Sequence, residues 1–80
     1  MSEETIGQRI LRLRDACYLS QAELARKADI SRTVLSRLEN DQAVPIQRTV
    51  RKLAEVLGVD PHDIVQPSEL RARRGEGAAA

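Results

Sequence analysis

The chain has 80 residues, 41% of them apolar, with 13 basic and 12 acidic side chains. That length supports one small core and excludes a multidomain enzyme with a deep substrate cavity; no apolar run is long enough for a membrane span, and MSEETIGQR has no apolar segment of a secretory signal. The single cysteine, Cys17, permits no internal disulfide and fits a reducing, cytoplasmic setting, while the lack of Phe and Trp demands an aliphatic core.

The apolar spacing is helical throughout, without strand-like alternation. Ile6, Ile10, Leu13 and Cys17 predict a first helix from about residue 4 to 16. Glu3 and Glu4 then fall in its first turn, where they complement its dipole, and Cys17 is a small buried hydrophobe on its apolar face. Leu24, Ala25 and Ala28 mark a second helix, and Ile30, Val34, Leu35 and Leu38 a third. Ile46, Val50, Leu53, Ala54 and Leu57 mark a fourth, ended by Gly58, which suits a left-handed C-terminal position. Asp60-Pro61 opens a short fifth helix with proline at its first position, where no amide partner is missed. Ser20, Ser31 and Asp60 read as N-caps, each flanked at staple spacing by apolar pairs: Leu19 with Leu24, Ile30 with Leu35, Val59 with Ile64. Ser20 and Glu23 also form a capping box.

Only Asp29 and Ile30 separate the second and third helices. So short a link cannot return the chain antiparallel with room for large side chains. It requires a steep crossing with small residues, Ala25 and Ala28, at the contact, which is a helix-turn-helix unit. The domain is expected over residues 1–65. From 66 to 80 (QPSELRARRGEGAAA) the composition turns polar, small and charged, as in a flexible tail or a linker.

Charge is unevenly distributed. Residues 26–52 hold seven basic side chains (Arg26, Lys27, Arg32, Arg37, Arg48, Arg51, Lys52) against three acidic ones (Asp29, Glu39, Asp41). This block is the footprint of a nucleic-acid face, although a solvated surface can look the same. On a wheel turning about 100° per residue, Arg32, Thr33, Ser36, Arg37 and Asn40 share one outward arc of the third helix. Val34, Leu35 and Leu38 share the opposite, core-facing arc. Any amphipathic helix has a polar side, but this one carries donors and no acid. Arg pairs bidentately with guanine in the major groove, and Thr and Asn suit thymine and adenine edges. Arg48, Arg51 and Lys52 are either backbone contacts or solvated charges, and Arg71, Arg73 and Arg74 add nonspecific affinity or face water. With one histidine (His62), no metal-ligand spacing and no phosphate-binding glycine loop, neither metal, cofactor nor catalysis is expected.

The segment QAELARKADISRTVLSRLE, residues 21–39, resembles the XRE (Cro and lambda-repressor-like) helix-turn-helix family. The resemblance extends back through Ile6, Gly7, Gln8, Arg9, Ile10, Leu13 and Arg14, and forward through Pro45, Thr49, Leu53, Ala54, Leu57, Gly58 and Val59. It implies an all-α, compact five-helix lambda-repressor-like domain that binds DNA as a dimer. Arg32, Thr33 and Arg37 stand where family members read bases, with Ser36 between them on the same face. Gln21 stands at a phosphate-contacting position, Ser31 and Asn40 stand near the phosphate backbone, and Arg48 is a candidate backbone contact. Arg14 and Glu39 match a pair used as an internal salt bridge. The family often has glycine where this chain has Tyr18, Asp29 and Asp41. Asp tolerates the left-handed region. Tyr18 does not, so either the first helix ends differently or Tyr18 packs outside the core. Asp41 is also expected to weaken binding by placing an acid near phosphate.

The resulting expectation is a sequence-specific transcriptional regulator, a repressor first, acting in the cytoplasm as a homodimer on a near-palindromic double-stranded DNA operator. Helices 4 and 5 would pair through Val44, Val56, Val59, Ile64 and Val65. The alternative is an antitoxin-like or adaptor module whose main partner is another protein, a toxin or coregulator.

Overall fold

The computed structural model of the chain describes residues 4–66 and Glu69. Within them lie four α-helices: α1 (Ile6–Ala16), α2 (Gln21–Lys27), α3 (Arg32–Glu39) and α4 (Gln47–Leu57). The expected fifth helix is a single 3-10 turn over Pro61–Asp63. Asp60 does cap it, and Pro61 starts it, but its three residues are too few to close an α-helical ladder. Apart from Gln66 and Glu69, the expected tail lies outside the described residues.

Helix starts follow local chemistry. Ser20 caps α2 by accepting from the Glu23 amide while Glu23 accepts from the Ser20 amide, and that backbone hydrogen bond is the chief reason the Glu23 carboxyl titrates below its ordinary range. Ser31 caps α3 through the Val34 amide. The first helix starts later than its apolar spacing predicts. Thr5 and Gln8 form a capping box at its N-terminus, so Glu4 precedes the helix and its carboxylate instead takes two hydrogen bonds from Arg12, 2.6 and 3.1 Å.

The helix ends share one device. Tyr18, Asp29, Asp41 and Gly58 each follow a helix with positive φ, at 57°, 57°, 58° and 71°. In each case the next residue's amide reaches back to a carbonyl in the last turn: Leu19 to Arg14, Ile30 to Ala25, Gln42 to Arg37 and Val59 to Ala54. These are Schellman closures. Leu19 and Ile30 therefore do two jobs, closing one helix and stapling the start of the next, which is why the links are so short. Tyr18 satisfies the geometry with its ring outside the core, 95% exposed.

The core is aliphatic. Ile10, Leu24, Leu35 and Leu53 are fully buried, one from each helix, and Ile64 joins them from the residue after the 3-10 turn. Three expectations about apolar residues need correction. Ile64 and Val65, expected at a subunit contact, are 0% and 3% exposed, because a core without large aromatic rings is closed from below by the segment following the turn. Cys17 is exposed, not buried: α1 ends at Ala16, and the cap residue leaves the phase of the apolar stripe with its thiol 3.7 Å from the Leu57 carbonyl. Val34, expected on the inner face of α3, is 43% exposed. Among the described residues no helix is long and apolar enough to cross a membrane.

Candidate nucleic-acid interface

The helix-turn-helix comprises α2, the turn at Asp29 and Ile30, and α3, held from behind by α1. The contact of α1 with α3 depends on Gly7. A Cβ there would lie 2.5 Å from the carbonyl oxygens of both Leu38 and Glu39, so only glycine permits the approach. Asp41 completes the junction. Its carboxylate accepts from the Gly7 amide (2.9 Å) and the Thr5 hydroxyl (2.6 Å), joining the end of α3 to the start of α1. Asp41 therefore faces the start of α1, and its charge is held by the donors and dipole of that helix start.

A second junction lies deeper. Glu39 is 7% exposed and accepts two hydrogen bonds from the Arg14 guanidinium, 2.7 and 3.1 Å, and a third from the Gln21 side-chain amide, 3.0 Å. Arg14 also donates to the Leu19 carbonyl, 3.0 Å, and its hydrogen bond to Glu39 raises its pKa further above the ordinary arginine value. One carboxylate thus ties α1, α2 and α3 together. Among the described residues no buried side-chain polar atom lacks a partner.

The outward residues divide by how committed they are. Arg32, Thr33 and Arg37 are exposed on α3, and Ser36 beside them is half-buried. The Ser31 oxygen accepts the Val34 amide as cap, which leaves its hydroxyl proton available to an acceptor outside the chain. Asn40 donates from its side-chain amide back to the Ser36 carbonyl, 2.8 Å, which fixes the amide beside the end of α3. Gln21 is half-buried, with its amide on Glu39 and its carbonyl oxygen not engaged among the described residues. Arg48 is exposed near the start of α4.

Electrostatics sharpen the division. Two of the three acids of the basic block are engaged within the fold, Glu39 by Arg14 and Gln21 and Asp41 by Thr5 and Gly7, while Asp29 stands 97% exposed with Lys52 at 3.9 Å. Among the described residues Arg26, Lys27, Arg32, Arg37, Arg48 and Arg51 form no salt bridge, whereas the α1 arginines Arg9, Arg12 and Arg14 all do. The charge pattern along the chain foresaw the cations, and the family resemblance foresaw the Arg14–Glu39 pair. Both missed Asp41 and Gln21 as structural acceptor and donor, because nothing local signals a contact spanning more than a dozen residues.

Comparison with known proteins agrees with this geometry. Residues 10–64 match the helix-turn-helix family. A type II methyltransferase, M.Sau96I of Staphylococcus aureus, is 40% identical over 63 residues, 79% of this chain but 15% of the methyltransferase. The immunity repressor protein of Bacillus phage phi105 is 39% identical over 61 residues, 76% of this chain and 42% of the repressor. The chain thus spans less than half of either relative, and the shared module, not either protein's activity, is what the two have in common. A solved complex of SinR and SinI proteins superposes with a TM-score of 0.73 at 28% identity, covering 94% of this chain and 82% of that one. Sequence match and all-helical architecture coincide over the same residues, and the chain belongs to the XRE-type helix-turn-helix family.

Proposed function

We propose that this chain is a sequence-specific DNA-binding transcriptional regulator, a repressor, acting as a homodimer on a near-palindromic operator. In this reading α3 enters the major groove. Arg32, Thr33, Ser36 and Arg37 meet base edges, while Gln21, Ser31, Asn40 and Arg48 meet the phosphate backbone. Two copies of α3 would sit about 34 Å apart in successive major grooves. With Ile64 and Val65 in the core, Val44, Val56 and Val59, together with the exposed Ile46, are the apolar area left near α4 for pairing.

The observation that carries the reading is the separation of charge. Glu39 and Asp41, the two acids of the basic block that belong to α3 and its end, are engaged within the fold, and the arginines of α3 and the start of α4 form no salt bridge among the described residues. A surface built for water alone gains nothing from that arrangement, whereas a polyanion gains affinity from each unpaired cation. An adaptor or antitoxin-like module engaging chiefly a protein finds support in the SinR/SinI complex but leaves the acid-free face of α3 unexplained.

The test is selection of bound duplexes from a random pool with the full chain, followed by affinities across a salt series. A consensus is expected. Arg37→Ala should weaken the selected site by about 1–3 kcal/mol and relax preference at one base position. Gln21→Ala should weaken selected and random duplexes alike. Recovery of no consensus at any salt concentration would overturn the proposal.

A further inference from the structure

Val34 is the one apolar side chain standing open on α3, 43% exposed in the first turn of a helix whose other outward residues are Arg32, Thr33, Ser36, Arg37 and Asn40. By helical position it flanks Arg37, about 60° around the axis and one turn before it. Its amide is already satisfied by the Ser31 hydroxyl, so nothing polar of this residue remains to be matched. A duplex furrow into which α3 fits presents acceptors, donors and a single apolar feature, the thymine C5-methyl. Against a donor or acceptor, the isopropyl group would strip water without replacing its hydrogen bond, which is unfavourable. Against a methyl, it removes apolar surface from water on both sides. The same argument does not extend to Leu11, which is similarly exposed but stands on α1, away from the base-facing arc.

We propose that Val34 is a specificity-determining residue that reads a thymine methyl in each half-site, next to the base pair addressed by Arg37. The inference rests on the proposed function and adds to it a requirement that hydrogen-bond readout does not impose. Thr33 also carries a methyl, so the test must separate the two.

The experiment takes the duplex chosen by selection and replaces each thymine in turn with deoxyuridine, which deletes only the methyl group. The full chain should lose about fourfold in affinity at one thymine per half-site, the worth of one buried methyl-sized group. Val34→Ala should bind the two duplexes equally at that position, while Thr33→Ser and Leu11→Ala keep the difference. Circular dichroism melting confirms that Val34→Ala is folded, and should Val34→Ala fail to fold, Val34→Thr is expected to narrow the difference. No thymine-to-deoxyuridine effect at any position, or an effect abolished by Thr33→Ser and not by the Val34 variants, overturns the inference while leaving the DNA-binding reading intact. Absence of any selected duplex overturns both.

Discussion

Two backbone positions in this chain make opposite demands on the residue that fills them. Gly7 is where α1 meets the carbonyls ending α3, and the space a methyl group needs is already filled by backbone. Gly7→Ala should therefore destabilise the domain by about 1–3 kcal/mol through overpacking, even though alanine is the better helix former. Urea unfolding measures it, and equal midpoints for both chains would contradict the close approach. Tyr18 is the reverse case. Its φ of 57° is a conformation that bulky L-residues occupy at a cost, and a ring 95% exposed recovers none of that cost by burial. Tyr18→Gly should raise stability by up to about 1 kcal/mol, the relief of left-handed strain less the extra freedom glycine gains when unfolded. The thermal midpoint reports the sign. The Asp residues at the two equivalent turns tolerate the region better, and Asp41 also contributes a carboxylate to the start of α1.

Helices of seven to eleven residues are too short to be stable alone, so tertiary contact orients them: α2 packs against α3 and α4, and α3 is set by its attachment to α1. The Arg14–Glu39 pair makes that attachment from side chains only 15% and 3% exposed. Removing the guanidinium leaves a buried carboxylate with Gln21 as its remaining side-chain partner, and such charges are costly to leave unpaired. Arg14→Ala should cost about 3 kcal/mol in chemical unfolding. Glu39→Gln in the same background should recover part of that loss, because it removes the stranded charge. A double variant no more stable than Arg14→Ala would mean that packing, not charge, accounts for the loss. The capping serines act at the starts of α2 and α3, where their signals are local, and there the expected boundaries agree with the structure to within a residue.

Within the basic block the domain engages Glu39 and Asp41 at the contacts of α3 with α1, and leaves its cations on the outside along α3 and the beginning of α4. Binding to a polyanion by such a surface is governed by counterion release, so its strength is a function of salt. If Arg48 contacts a phosphate, Arg48→Ala should reduce the slope of log affinity against log salt by about 1 per bound chain, equally on selected and random duplexes. Affinity titrations at four or five salt concentrations check it. An unchanged slope would return Arg48 to the solvated charges.

The sequence alone determined what depends on near neighbours: the number of α-helices apart from the last turn, their caps and staples, the short link of the helix-turn-helix, and the polar arc of α3. These features arise from periodicities and hydrogen bonds within four or five residues, and they can be read along the chain. The tertiary structure decided the rest. Asp41 on α1, Gln21 on Glu39 and Ile64 in the core are each settled by groups remote in sequence. Val34 and Cys17 could not be placed by an ideal wheel. The burial of Val34 depends on which neighbour covers that edge of α3, and that of Cys17 on where α1 stops. Pattern along a chain records which side chains avoid water together; which of them finds a partner is decided only when the helices meet.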